Sequence, residues 1–174
     1  MASSATDSAN KDRDIREKLV RTGDVDVMVS VGNNFFYTLS LPCSLWFFDK
    51  AKRAENRDKV LFIDARNYYT VVDRTLNEWT EWQLRNLQAI VHLYRGETEK
   101  YQALLNDYRQ VLGDTTVASA QAALDKQKAE AKEAIANASR KDKKRIEAEM
   151  KAMEDALEDT LETARQYEWL TEKF

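Results

Sequence analysis

A chain of 174 residues with a formal net charge of −3 is long enough for one well-filled core or two small ones, and it offers no bulk electrostatic pull on nucleic acid or membrane. A single cysteine, Cys43, excludes a disulfide framework and suits a reducing cytoplasm. No apolar run nears the ~20 residues of a membrane span, and the polar stretch from Met1 to Lys11 has no signal-peptide core.

The first ten residues read as a loop. Ile15 and Leu19, four apart, with acids early and Lys18 and Arg21 late, predict a short helix over Asp12–Val20 in the charge order its dipole favours, closed by Thr22-Gly23. Val25 to Val31 alternates. Its valines share one face, while Asp26, Met28 and Ser30 share a less buried one. Asn33 to Pro42 is an irregular loop carrying Phe35, Phe36 and Tyr37. Two runs, Cys43-Ser44-Leu45-Trp46-Phe47-Phe48 and Lys59-Val60-Leu61-Phe62-Ile63-Asp64, look like strands apolar on both faces. Ala51 to Asp58 is a charged turn between them.

A capping box at Thr80-Glu81-Trp82-Gln83 opens the next helix, whose core face is Leu84, Leu87, Val91 and Tyr94; Arg95-Gly96 closes it. A further helix carries Tyr101, Leu104, Leu105, Tyr108, Val111 and Leu112 up to Gly113. From Thr116 the composition turns to Ala, Glu, Lys and Asp. Two apolar stripes, Val117 to Ala138 and Ile146 to Ala164, flank a break at Asn137-Ala138-Ser139. They predict an antiparallel, coiled-coil-like hairpin with a narrow seam that wants a partner surface.

The chain thus reads as α/β up to residue 96 and as a mainly helical tail over 97–174. Strands apolar on both faces need layers on both sides. Three strands are also near the lower limit for a self-sufficient sheet, so the expectation is the closing part of a larger α/β domain. With four glycines and one proline, there is no GxGxxG, no P-loop and no clustered metal-ligand set. Cys43 reads as a small buried hydrophobe and His92 as structural. Asp64 reads as a turn cap, and Trp79, Trp82 and Tyr94 as the core joining sheet to helices.

The runs Val25–Lys50, Lys59–Arg66 and Val91-His92-Leu93-Tyr94-Arg95-Gly96, in this order and spacing, resemble the C-terminal part of the catalytic domain in modification (methyltransferase) subunits of type I restriction–modification systems. Ser3-Ser4-Ala5-Thr6-Asp7 before the first helix fits the same resemblance. It covers roughly the first hundred residues and implies a Rossmann-like sheet, of which about three strands with flanking helices are present. It also implies adenine-N6 methylation of DNA with S-adenosyl-L-methionine as donor. The family's cofactor loop and Asn-Pro-Pro-Phe motif lie upstream, and the sole proline is Pro42. The chain by itself is therefore expected to hold no cofactor and transfer no methyl group.

Enzymes acting on a base flip it out and stack it on an aromatic ring. The resemblance places Phe36 in that role, with Phe35 second; from the residues alone, both rings equally suit a core. Asn33 and Asn34 suit either base contacts or turn chemistry. Lys141, Lys143, Lys144 and Arg145, with Arg140, are either phosphate contacts or solvated charge. The family's C-terminal helices pack on the specificity subunit, which makes Ile146, Met150, Met153, Leu157 and Leu161 the expected docking face. Implied partners are the specificity and restriction subunits and DNA, and the isolated chain is expected to self-associate through uncovered apolar surface. Two other readings stay open: a protein-interaction module centred on the hairpin, and a nucleic-acid-binding helical arm.

Overall fold

The computed structural model describes residues 10–36, 40–139 and 141–174, and side chains from residue 13 onward. The chain divides into two compact units, Met1–Tyr101 and Gln102–Phe174.

The first unit opens with α1 (Asn10–Arg21), held on its surface by the Arg21–Glu17 ion pair at 2.7 Å. Gly23, at φ +78°, ends it in the left-handed region that only glycine enters freely. Then come β1 (Val25–Val31), β2 (Cys43–Phe48) and β3 (Leu61–Ala65). They form one sheet in the order β2-β1-β3, antiparallel between β1 and β2 and parallel between β1 and β3. A two-stranded hairpin, β4 (Thr70–Val71) with β5 (Asn77–Glu78), follows, and then α2 (Glu81–Tyr94). The small hairpin has too few residues for a readable alternation and is absent from the sequence expectation.

Alternation along β1 puts Val27, Val29 and Val31 on the face that α2 covers, where they form a core with Ile63, Ala65 and Leu87. Fully burying a side chain of this size stabilises by about 1.5–3 kcal/mol. One expectation for β1 fails. Asp26 does not share the less buried face with Met28 and Ser30 but is 1% exposed. The register with β2 shifts between Val25 and Val27, so Asp26 is the extra residue there. A bulge re-aims its side chain, and Asp26 accepts hydrogen bonds from Arg95 Nη2 at 2.5 Å and Nε at 3.0 Å. That hydrogen-bonded pairing raises the Arg95 pKa. Burial first, then the neighbouring Asp26 carboxylate, pushes up the Tyr94 phenol.

Lys52, also buried, donates to the carbonyls of Val25 and Lys59, and Asn56 Nδ2 donates to the Tyr94 carbonyl at 3.2 Å. These bonds tie the 51–60 connection to the start of β1 and the end of α2.

The capping box of α2 forms as expected: Thr80 Oγ1 accepts from Gln83 N, and Gln83 Oε1 accepts from Thr80 N. Its buried stripe, however, is Gln83, Asn86, Leu87 and Ala89. Two polar residues take core positions because each has a hydrogen-bond partner inside the fold. Gln83 closes the cap, and Asn86 donates to the Tyr68 hydroxyl at 3.0 Å. Leu84 is 42% exposed and lines an apolar cleft of 540 Å³ with Leu45, Phe47 and Ile63. Trp82 packs under the Arg85 guanidinium, 5.0 Å from its ring centre, while Trp79 packs on the core. Uncovered apolar surface is a feature of the unit: Phe47, Phe48 and Phe62 are 49%, 50% and 71% exposed.

In the second unit α3 (Thr98–Leu112) ends at Gly113. Tyr108 on this helix is fully buried, with its ring 5.4 Å from that of Tyr167. Helices α4 (Val117–Asn137) and α5 (Lys143–Lys173) run antiparallel, since Gln121 meets Arg165 and Lys128 meets Glu158. Ala120, Leu124 and Leu161 are the buried centre, with Val117 and Leu157 against it. Thr116 and Ser119 cap α4, which stops at the expected break. Among the described residues no helix is long and apolar enough to cross a membrane.

The Asp26–Arg95 pair is a test of the frame. Arg95→Ala leaves a buried carboxylate uncompensated and should cost roughly 3 kcal/mol or more in urea denaturation. Arg66→Ala, removing an exposed partner of Asp64, should leave the urea midpoint nearly unchanged, because exposed ion pairs contribute little.

Candidate functional site

Because β1 and β3 are parallel, their carboxyl ends lie together, and the Gly32–Phe36 loop and the Arg66–Tyr69 loop leave the sheet at one edge. In open α/β sheets, that is the edge where ligands bind. Gly32 is required by the closeness of the two loops: a Cβ there would sit 2.5 Å from the Arg66 carbonyl oxygen.

Asn33 and Asn34 then turn the chain. Asn34 adopts φ +62°, the only positive φ outside glycine among the described residues, a conformation asparagine tolerates. Asn77, buried on β5, holds the turn from outside. Its Nδ2 donates to the Asn33 carbonyl at 2.9 Å, and its backbone N–H donates to the Asn34 carbonyl at 2.7 Å. The backbone oxygens of both asparagines thus have structural partners.

The next two residues separate. Phe35 turns inward against Trp79, with ring centres 4.8 Å apart, and meets Tyr69 edge-on at 6.0 Å. Trp79 is itself pinned by donating Nε1–H to the Tyr68 carbonyl at 2.6 Å. Phe36 is 47% exposed. An anchored turn therefore presents one aromatic ring outward while its neighbour holds the loop to the core. Tyr37 to Leu39, which complete the expected aromatic stretch, lie outside the described residues, as does Ser3–Asp7. Asn77, Trp79 and Tyr69 shape this loop, yet sequence reasoning does not assign them to it. They come from 34–44 residues downstream, and only their packing reveals them.

Asp64, at the end of β3, is forked onto Arg66, with Nε–Oδ1 at 2.8 Å and Nη2–Oδ2 at 2.6 Å. Those hydrogen bonds hold its carboxyl down at about 2, a turn-closing role. His92 Nδ1 lies 2.6 Å from Glu97 Oε2, and Lys100 donates to the same oxygen at 2.8 Å. Lys100 first and His92 second pull the Glu97 carboxyl down to about 2. Cys43 is partly buried against the main core.

The remaining candidates lie in the helical unit. Lys141, Lys143, Lys144 and Arg145 are exposed at the α4–α5 turn, with Arg145 bonded to Glu149 at 2.8 Å; Arg140 lies outside the described residues. Along α5, Leu161 is buried and Leu157 packs beside it. Ile146 and Met150 are half-buried, and Met153 is 54% exposed. Gln127 on α4 reaches the sulfurs of Met150 and Met153, so much of this stripe already faces α4.

No group of three or more His, Cys, Asp or Glu side chains among the described residues is placed to hold a metal ion. The glycines do not make a nucleotide cradle. Gly23, Gly96 and Gly113 follow helices at positive φ, and Gly32 abuts Arg66. Among the described residues these glycines offer no cradle for the S-adenosyl-L-methionine that the resemblance implies.

A family model described as N-6 DNA Methylase matches residues 1–115, and the chain belongs to that family. It is similar to the type I restriction enzyme MjaIX methylase subunit of Methanocaldococcus jannaschii, at 36% identity over 100 residues, covering 57% of this chain and 18% of that protein. It is also similar to the type I restriction enzyme HindI methylase subunit of Haemophilus influenzae, at 26% identity over 92 residues, covering 53% and 20%. The chain spans no more than about a fifth of the length of the curated relatives it matches.

Two outcomes check this geometry. Phe35→Ala should destabilise the fold by about 3 kcal/mol and Phe36→Ala by no more than about 0.5 kcal/mol, measured by urea denaturation. Glu97, whose carboxyl is held below its ordinary 4.5, stabilises the fold while ionised. Its contribution is complete above about 4.5 and is lost as pH falls through about 2. Wild type should therefore melt above Glu97→Gln at pH 6, and the difference should shrink as pH falls below 4.5 and vanish only below about 2 in thermal scans.

Proposed function

We propose that this chain is the closing part of the catalytic domain of a DNA adenine-N6 methyltransferase subunit, joined to a helical assembly tail, within a type I restriction–modification complex. Residues 1–96 contribute the end of a Rossmann-like sheet and residues 97–174 the tail. The observation that carries the reading is the anchored loop at the shared carboxyl edge of β1 and β3, from which Phe36 projects while Phe35 is held in the core. A ring presented this way suits stacking on an extruded adenine. Base–aromatic stacking contributes about 1–3 kcal/mol per base.

The cofactor loop, the Asn-Pro-Pro-Phe motif and S-adenosyl-L-methionine belong to the rest of the parent enzyme, and this chain alone transfers nothing. Asn33 and Asn34 shape the turn; their side chains remain available to the base or its backbone. The hairpin docks on the specificity subunit through what α4 leaves open of the Ile146, Met150 and Met153 stripe. Leu157 and Leu161 support that stripe from within. The restriction subunit and DNA complete the assembly, in the cytoplasm. Lys141, Lys143 and Lys144 stand ready for phosphate, with Arg145 partly occupied by Glu149.

A second reading, a protein-interaction module, is favoured by one observation: α4 and α5 pack on each other, with most of α3, in the second compact unit. The two readings are compatible.

The test is a methylase subunit assembled from the upstream part of a relative and this chain, with a matching specificity subunit. Radiolabelled methyl transfer to adenine N6 is expected. Phe36→Ala should lower its rate about 10-fold or more while leaving subunit assembly intact. Unchanged methylation would remove Phe36 from the site.

A further inference from the structure

We infer that Asn77, the first residue of β5, is a positioning residue for methyl transfer: it holds the Asn33–Asn34 turn so that Phe36 is aimed at the extruded base. The inference rests on the proposed function and adds to that site a residue remote from it in sequence.

Two donors of Asn77 go to successive carbonyls of the turn. Its backbone N–H donates to Asn34 at 2.7 Å and its side-chain Nδ2 to Asn33 at 2.9 Å. Stability of the fold is a weak reason for the second bond. Asn77 is 7% exposed, but Asn33 is a surface residue, where water can replace a lost donor at little cost. What a buried, fixed amide adds is direction. Asparagine suits the task because aspartate carries no N–H and alanine no polar group.

The turn is also of the kind that needs holding. Asn34 sits at φ +62°. Non-glycine residues persist in that region where their surroundings over-determine them, and such places cluster at functional sites. Phe36 follows two residues later with its ring 47% exposed. A ring this open is fixed less by its own packing than by the backbone that carries it. The same short segment supplies a second strut. Trp79 packs on Phe35 with ring centres 4.8 Å apart and is itself pinned to the Tyr68 carbonyl. Asn77 thus grips the turn and Trp79 grips the first ring, which leaves the second ring outward in one orientation. Groups that act on a substrate need such support to stay within about 0.5 Å of the productive geometry.

The experiment has two parts. In the full chain, amide relaxation by NMR should give Gly32–Phe36 order parameters of about 0.85, the range of rigid backbone. Asn77→Asp should lower them to about 0.6 or less while β1 and β3 keep theirs. In the methylase subunit assembled from a relative's upstream part and this chain, Asn77→Asp should slow methyl transfer about 5-fold or more and leave the KM for S-adenosyl-L-methionine unchanged. In a Phe36→Ala subunit the same change should cost less than about 2-fold further, whereas a merely structural role would lower both backgrounds alike. Asn77→Ala, which keeps the backbone bond, replaces Asn77→Asp if the carboxylate prevents folding. A loop already mobile in the wild type, loop order unchanged in the variants, or equal losses with and without the Phe36 ring would overturn the inference. An inactive wild-type subunit would count against the methylase reading and the role with it; unaltered transfer by Asn77 variants of an active subunit would overturn the Asn77 assignment alone.

Discussion

The parallel pairing of β1 with β3 is the constraint on which the rest of the first unit depends. It brings two carboxyl ends together and so forces the Gly32 and Arg66 backbones into a contact that admits no Cβ. From that contact follow the tight turn at Asn33-Asn34, the anchoring of both turn carbonyls by Asn77, and the divergence of Phe35 from Phe36. Reversing the strand direction would separate the two loops by the length of a strand, and the aromatic loop would lose its anchor.

The second theme is a sheet whose apolar surface exceeds what its own helices cover. α2 protects the valine face of β1 and part of β3, yet Phe47, Phe48 and Phe62 remain open. A layer on each side is the ordinary condition of strands this apolar. Under the proposed function, the rest of the parent enzyme would supply such layers; the chain itself spans about a fifth of the curated relatives it matches. The buried polar groups answer the same shortage of apolar contact. Asp26 with Arg95, Lys52 with two carbonyls, and Asn86 with Tyr68 fix the helix and the 51–60 connection to the sheet.

In the helical unit the physics is different. The Ala120–Leu124–Leu161 centre is narrow, and toward the α4–α5 turn apolar contact gives way to Gln127 on the methionine sulfurs and to the Lys128–Glu158 pair. Exposed ion pairs contribute little to stability. That end of the hairpin therefore keeps Met153 open as surface, whereas Leu161 is consumed by internal packing.

Local patterns carried much of this. Alternation in Val25–Val31, the two aromatic strands, the Thr80 capping box, the stop at Gly96 and the break after Asn137 are readable because each depends on residues within a turn or two of one another. So is the family resemblance over the first hundred residues, which rests on contiguous motifs. Local pattern could not say which of Phe35 and Phe36 faces inward, since adjacent loop residues have no fixed period. It could not show that Asp26 leaves the face it nominally shares with Met28, because a bulge exists only relative to a partner strand. Nor could it place Asn86 in the core ahead of Leu84. Those outcomes were decided by groups 18–69 residues apart in sequence meeting in space, and contacts at that separation leave no periodicity in the chain.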